Sequence, residues 1–104
     1  MSVMMGILEE ERKRLEELLE FYRKKIEEAP RGSISAKERG GRRYLYLARR
    51  EGGKVIFEYV GRDVPGVRDV LQDRIRQRRE YQAKLRQARE NLKEVKRALR
   101  GKRA

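Results

Sequence analysis

A pair of glycines between two β-prone runs constrains this chain more than any other feature. The runs are residues 44–47 and 55–60, and Gly52 and Gly53 lie between them. Glycine reaches the positive φ angles of a tight turn without a steric penalty, so this pattern predicts an antiparallel hairpin. A hairpin alone is marginally stable in water, so the rest of the chain must supply a surface on which it packs.

Helical patterns flank the hairpin on both sides. Apolar residues recur at three- and four-residue steps over residues 7–28, and Pro30 ends this first helix because proline disfavours the α conformation in the residue before it. A second, longer helix is predicted over residues 67–99, where the apolar positions keep a heptad spacing interrupted by Arg74 and Arg78. The apolar seam of this helix consists of Leu71, Tyr81, Leu85, Ala88, Leu92, Val95 and Leu99.

These elements together predict an α+β fold in one domain, residues 1–104. Residues 33–38 alternate small polar and apolar side chains, which indicates a first strand before the hairpin. Two long antiparallel helices, packed as a coiled-coil-like hairpin, would then flank a three-stranded antiparallel β-meander. The meander covers residues 33–60, with strands at 33–38, 42–50 and 54–60, and residues 101–104 form a basic tail.

Strand alternation sorts the side chains of the hairpin into two faces, provided that the glycine loop has two or four residues. A three-residue loop would shift the register by one. One face has no charged residue and is predicted to be the core: Tyr44, Tyr46, Ala48, Val55, Phe57 and Tyr59. The other face mixes aliphatic side chains with three cations, and we expect water to be excluded from it only when a partner binds. Its residues are Arg43, Leu45, Leu47, Arg49, Lys54, Ile56, Glu58 and Val60.

Charge is distributed unevenly along the chain. The net charge is +12 over 104 residues, with −2 over residues 1–29, +5 over 30–65 and +9 over 66–104. Charged residues make up 44% of the sequence and hydrophobic residues 38%, which favours long exposed helices over a thick core. A positive charge concentrated in one part of the chain predicts a polyanionic partner, DNA or RNA.

Several kinds of site are ruled out by what the sequence lacks. It contains no cysteine and no histidine, so it can form neither disulfides, nor the usual zinc sites, nor Cys/His and Ser/His/Asp nucleophile systems. Neither a GxGxxG nor a GxxxxGK phosphate loop is present, and no apolar run is long enough to span a membrane. We therefore expect a cytoplasmic protein with no catalytic residues, metal or cofactor and no membrane contact.

The second helix carries the clearest charge pattern. Its cations follow the b and e positions of the heptad, interrupted by Gln82, and form a stripe about 36 Å long, comparable with one turn of duplex DNA. Cations at this spacing can neutralise successive phosphates. The alternative is a solvated coiled-coil flank that pairs with carboxylates of the first helix. The stripe consists of Arg79, Arg86, Arg89, Lys93, Lys96, Arg100 and Arg103, and those carboxylates are Glu9, Glu16, Glu20 and Glu27.

Cations also cluster on and around the hairpin. A β-ribbon can enter the major groove, where arginine and lysine read guanine edges, and the tyrosines could instead stack on unpaired bases. The alternatives are that the tyrosines are core residues with their hydroxyls at the rim, and that the arginines are ordinary edge-strand charges. The cluster comprises Arg42, Arg43, Arg49, Arg50 and Lys54, of which all but Arg50 are candidate nucleic-acid-binding residues.

Residues 32–61 carry the pattern G-x-[IL]-S-x-K, a glycine turn, Y-x-Y-L, R-x-G-x-K-V and Y-[VI]-G. This stretch resembles a segment found between charged helices in uncharacterised prokaryotic proteins, a similarity that implies no function. It is also similar to the N-terminal DNA-binding β-meander of some transposases and phage-type integrases. The second resemblance implies DNA-facing roles for Arg43, Arg49 and Lys54. Because the catalytic part of those enzymes is missing, it implies only a DNA-binding accessory.

Two functions from different classes agree with these features. The chain is predicted to be a non-enzymatic nucleic-acid-binding protein, with DNA favoured over RNA, that serves as a mobile-element or regulatory accessory. The alternative is a coiled-coil interaction or dimerisation module, in which the long second helix pairs as a homodimer. Binding to nucleic acid should fall steeply with salt, whereas a hydrophobic coiled-coil interface should be nearly insensitive to it.

Overall fold

The structure, a computed structural model, describes the backbone of residues 2–103 and the side chains of residues 2–101. It confirms the predicted α+β fold, in which two helices flank a three-stranded antiparallel sheet. The predicted basic tail continues the second helix through Arg103, and Ala104 lies outside the described residues. The elements are α1 (Val3–Glu28), β1 (Ser33–Arg39), β2 (Arg42–Glu51), β3 (Lys54–Arg62) and α2 (Pro65–Arg103).

Contacts divide the chain into two compact units. The helical unit consists of Met1–Glu28 and Glu80–Ala104, and the sheet unit consists of Ala29–Arg79. Helix α2 contributes its first turns to the sheet unit and the rest of its length to the helical unit.

Both helices begin earlier than the apolar periodicity predicts. At the start of α1 the backbone N–H of Met5 donates a hydrogen bond of 3.1 Å to the Ser2 hydroxyl. Ser2 therefore caps a helix that begins at Val3, four residues before the predicted start at residue 7. Pro65 is the first residue of α2, a position where its missing N–H costs nothing and its fixed φ suits the helix.

The helical unit is held by the predicted apolar seam. Leucines of α1 pack against the seam positions of α2, and the Tyr22 and Tyr81 rings lie 6.1 Å apart where the end of α1 meets this part of α2. The seam is therefore satisfied within one chain from Tyr81 onward, and the homodimer predicted from it stays a prediction. The buried cluster is Leu15, Leu19, Leu85, Ala88 and Leu92, flanked by Leu18, Tyr22, Ile26 and Val95.

The sheet has the order β1-β2-β3, and each connection is a two-residue glycine turn. Glu51 pairs with Lys54 across Gly52 and Gly53, whose φ angles are +55° and +79°. Positive φ at both central residues is what a type I′ turn requires, and that turn matches the natural twist of a hairpin. The two-residue loop fixes the register that sorts the side chains as predicted.

A β-bulge modifies the pairing near the end of the sheet. Tyr46 pairs with Tyr59 whereas its neighbour Leu45 pairs with Gly61, so Val60 is an extra residue on β3. Beyond the bulge the strand stays paired as far as Arg62, two residues past the predicted end of the strand. A bulge of this kind bends and twists the strand that contains it.

The prediction of which face is the core is wrong. Leu45 is fully buried and Leu47 nearly so, whereas Phe57 is 45% and Tyr59 58% exposed. We call the exposed side the aromatic face and the buried side the leucine face. The lack of charge among its hairpin residues predicts that the aromatic face is the core. Those residues are Tyr44, Tyr46, Ala48, Val55, Phe57 and Tyr59.

The first turns of α2 cover the leucine face. Ile34 of β1 and Ile75 of α2 line the same cavity, and Leu71 of α2 is buried. Arg43 and Lys54 lie toward the strand ends of this face, Glu58 lies on the edge strand β3, and all three remain exposed. The aliphatic centre of the leucine face, rather than the aromatic side, therefore supplies the core of the sheet unit.

Gly32, directly before β1, occupies a position that a larger residue cannot fill. Its φ is +110°, and a Cβ there would overlap the carbonyl oxygen of Ala48 on β2. We expect Gly32→Ala to lower the free energy of unfolding by about 1–3 kcal/mol, because both the backbone strain and the clash must be relieved. Urea unfolding followed by far-UV circular dichroism measures the change. The control is Gly66→Ala, where an added methyl group meets nothing, and equal losses in both variants would contradict the expectation.

Candidate nucleic-acid interface

Arg49, one of the hairpin cations predicted to bind nucleic acid, is engaged by carboxylates of the sheet. Arg49 donates hydrogen bonds of 2.9 Å to Glu51 and 2.8 Å to Glu58, and its side chain is 25% exposed. The hydrogen bond from Arg49 holds the pKa of the Glu51 carboxyl below its usual value. Because the Arg49 charge is balanced within the sheet, this side chain fits a structural role better than a phosphate contact.

A second predicted residue contributes to the junction between β3 and α2. Arg43 lies 3.6 Å from the Asp63 carboxylate, which also accepts hydrogen bonds of 3.1 and 2.7 Å from Arg68. The Arg68 hydrogen bonds, with a smaller contribution from the Arg43 charge, lower the pKa of Asp63. The backbone N–H of Asp63 also donates to the carbonyl of Arg43 over 2.9 Å. Arg43 thus helps to fix the start of α2.

The strand pairing sorts the charges of the sheet by face. All three carboxylates of the strands, Glu38, Glu51 and Glu58, lie on the leucine face together with the predicted cations Arg43, Arg49 and Lys54. That face is therefore close to neutral. The aromatic face carries five cations and no carboxylate: Lys37, Arg39, Arg42, Arg50 and Arg62.

Of these five cations only Arg42 is among the binding residues predicted from the sequence. Arg50 belongs to the hairpin cluster but was not selected, and Lys37, Arg39 and Arg62 were missed. Lys37 and Arg62 both pair with Tyr44, and Arg39 pairs with Arg42. These pairings place the three missed cations on the aromatic face. Alternation through the first strand would have placed Lys37 and Arg39. Arg62 could not be placed, because the bulge at Val60 changes the register before it.

Aromatic rings occupy the middle of the aromatic face. The ring centroid of Tyr59 is 5.6 Å from that of Tyr46 and 6.2 Å from that of Tyr44. The Lys37 ammonium lies 3.5 Å from the centroid of Phe57 and 5.1 Å from that of Tyr46, in the geometry of a cation–π contact. The face therefore combines a connected group of rings with a cationic rim.

The predicted cations of α2 whose side chains the structure describes are exposed along the helix. We call Arg86, Arg89, Lys93, Lys96 and Arg100, all in the helical unit, the basic stripe. At a rise of about 1.5 Å per residue the stripe is about 21 Å long. Arg79, predicted together with them, belongs to the sheet unit, where it lines a cavity with Ile34 and Ile75. The side chain of Arg103 lies outside the described side chains.

The basic stripe is largely without carboxylate partners. Among the side chains that the structure describes, its one ion pair joins Lys93 to Glu90 over 3.3 Å, and both of these are well exposed. The ion pairs shown for α1 are internal, with Arg12 bridging Glu9 and Glu16 at 2.7 and 3.8 Å. Among these side chains, no ion pair joins the basic stripe to Glu16, Glu20 or Glu27 of α1.

Within the described residues, no three acidic side chains come together in a way that could hold a metal ion. In the same part of the chain, neither helix combines the length and the apolar character needed to cross a bilayer.

The sequence matches a known protein family over much of its length. Residues 8–70 match the family described as "Domain of unknown function (DUF6788)", a match that covers more than half of the chain. The chain belongs to this family. No curated protein and no solved structure is significantly similar to it.

The two cationic surfaces differ in their relation to the DUF6788 segment. The whole sheet, with the aromatic face and its five cations, lies inside residues 8–70. The basic stripe lies beyond residue 70 and so outside the matched segment. The description of the DUF6788 family assigns no activity to either surface.

Proposed function

We propose that this chain is a non-enzymatic nucleic-acid-binding protein whose basic stripe binds the phosphate backbone. The observation that carries the proposal is the exposed, largely unpaired state of the cations at Arg86, Arg89, Lys96 and Arg100. Unpaired cations at regular spacing on a helix can each neutralise a phosphate and release a condensed counterion. The net charge of +12 supports the same class of partner.

DNA is favoured over RNA as the double-stranded target. The stripe is carried by an α-helix, and the major groove of B-form DNA is wide enough to admit one. The major groove of A-form RNA is deep and too narrow for side chains to read. A regulatory or mobile-element accessory that works in the cytoplasm would use such a surface, and it needs no catalytic group.

Charge reversal on the stripe tests the proposal. Arg89→Glu/Lys96→Glu is expected to weaken binding to a labelled DNA duplex at least about tenfold at 100 mM salt, since two phosphate contacts become repulsions. Fluorescence anisotropy with the full chain, from about 50 to 300 mM salt, gives the affinities. For wild type we expect the logarithm of the binding constant to fall with the logarithm of salt with a slope of about −4 to −5, because the stripe has five cations.

The matched control reverses two exposed lysines of α1. Lys13→Glu/Lys24→Glu changes the net charge by the same amount but leaves the stripe intact, and both lysines are exposed. This variant should keep most of the wild-type affinity. Equal losses of DNA affinity in the two variants would mean that the net charge of the chain, and not the basic stripe, determines binding. Absence of wild-type binding to duplex DNA, single-stranded DNA and hairpin RNA at low salt would refute the proposed function.

A protein-interaction or dimerisation role is favoured by one other observation. The first two turns of α1 expose Val3, Met4 and Ile7, which lie on neighbouring positions of the helix. Apolar side chains exposed together suit contact with another protein. Sedimentation measurements at low and high salt decide this alternative, because an association through these residues should persist at high salt and be lost in Val3→Ser/Ile7→Ser.

A further inference from the structure

The aromatic face is an exposed surface that the fold does not need for its core. Phe57 and Tyr59 are 45% and 58% exposed, and Val55 beside them is 49% exposed. The core of the sheet unit is supplied by Leu45 and Leu47 on the opposite side. Contiguous exposed apolar surface on a small protein commonly marks a binding site.

The charge of the aromatic face restricts what can cover it. Five cations and no strand carboxylate lie on this side of the sheet, and Arg39, Arg42, Arg50 and Arg62 among them are exposed. A second copy of the chain would place one cationic rim against another, and like charges across an interface are strongly unfavourable. The charge is complementary to a polyanion.

We propose that the aromatic face binds single-stranded nucleic acid by stacking its unpaired bases on the Tyr59 and Phe57 rings. This inference rests on the proposed function and adds a second surface with a different target. Every base has a π-face, so stacking on aromatic side chains suits single strands of any sequence. A duplex offers no such faces, because its bases are already stacked on one another.

The geometry gives the rings different roles. Tyr59 is the most exposed of the four rings whose contacts define the face, and its neighbours Tyr44 and Tyr46 support it from the side. Phe57 is covered by the Lys37 ammonium at 3.5 Å. A base reaches Phe57 only when Lys37 moves aside, and the displaced ammonium is then placed to contact the phosphate of the same strand. Tyr59 is therefore the first platform and Phe57 the second.

Removal of the two rings tests the stacking. Phe57→Ala/Tyr59→Ala is expected to weaken binding of a labelled single-stranded DNA or RNA oligonucleotide at least about tenfold, since base stacking on aromatic rings is a major part of such affinities. Binding of the duplex, which uses the basic stripe, should change less than about twofold. The control is Val70→Ala, an exposed apolar side chain of α2 outside the aromatic face, which should bind both as wild type does.

An abasic oligonucleotide separates stacking from charge. It keeps the phosphates and removes the bases, so wild type should bind it at least about tenfold more weakly than the normal strand. The ring-deleted variant should bind the two strands alike. Wild-type affinity that is equal for both strands, or a ring-deleted variant that binds the normal strand as wild type does, would overturn the inference.

The outcomes also distinguish this inference from the proposed function. Loss of duplex binding in Arg89→Glu/Lys96→Glu, with single-strand binding unaffected by ring removal, would leave the proposed function standing and this inference refuted. Absence of wild-type binding to any nucleic acid would refute both. Polyglutamate that binds more tightly than the oligonucleotide and depends on the same rings would overturn the inference in favour of an acidic protein. Separate DNA and RNA arms show which strand is preferred.

Discussion

Leu45→Ala is expected to lower the free energy of unfolding by about 2–5 kcal/mol, the usual cost of removing a fully buried leucine side chain. Leu45 has no exposed surface, and it lies on the central strand of the sheet, opposite Gly61 and Ala36. Alanine there would leave a cavity under α2 that the backbone cannot close. Urea unfolding followed by far-UV circular dichroism measures the loss, which is large for a chain of 104 residues.

The matched control lies on the other side of the same sheet. Val55→Ala removes an aliphatic side chain that is 49% exposed, and we expect it to cost less than about 1 kcal/mol. A larger loss from Val55→Ala than from Leu45→Ala would mean that the aromatic face is the core after all. That result would also remove the basis for a binding site on that face.

Leu15→Ala is the second change with a large expected effect, about 2–5 kcal/mol in the free energy of unfolding. Leu15 is 2% exposed and belongs to the buried cluster that joins α1 to Leu85, Ala88 and Leu92. The helical unit has a thin core, so one leucine is a large share of its apolar burial. The melting temperature of the variant, followed by the loss of helical signal, reports the effect.

A residue of the same helix serves as the comparison for Leu15. Ile7 is 55% exposed, and Ile7→Ala should change stability by less than about 1 kcal/mol. If the two substitutions had similar effects, the seam between α1 and α2 would not be the main source of stability in this unit. The helices would then have to be held by a partner chain, as the dimer alternative requires.

Much of the fold could be predicted from local patterns. The heptad positions of α2 pack against leucines of α1, as their spacing predicts. The glycine pair at Gly52 and Gly53 forms a two-residue turn, which determines the register of the hairpin. These features follow from periodicity and backbone freedom, which depend on near neighbours in the sequence. The Ser2 cap is also a local signal, but it lies outside the apolar periodicity, which by itself indicates a later start for α1.

The choice of the buried face could not be made in the same way. Alternation shows which side chains share a face, but the side that α2 covers depends on how the chain turns after Pro65. The absence of charge on the hairpin part of the aromatic face was a misleading guide, because Lys37, Arg39 and Arg62 reach that face from outside the hairpin as it was predicted.

The candidate site shows the same division between local and tertiary information. The exposure of the basic stripe follows from the heptad, since the b and e positions lie outside the a/d seam. The engagement of Arg49 by Glu51 and Glu58 depends on which residues face each other across β2 and β3. A list of cations in the sequence cannot separate those that are balanced in this way from those that are free.

The order of the strands has a consequence for how fast the sheet can form. Each pairing joins strands that follow one another in the chain, and each connection contains only two residues. Short loops lose little chain entropy on closure, and hairpins of this kind form in about 1–10 μs. Because β2 is the common partner of both outer strands, either hairpin can form first and template the other. The sheet should therefore spend little time with unpaired strands that could aggregate.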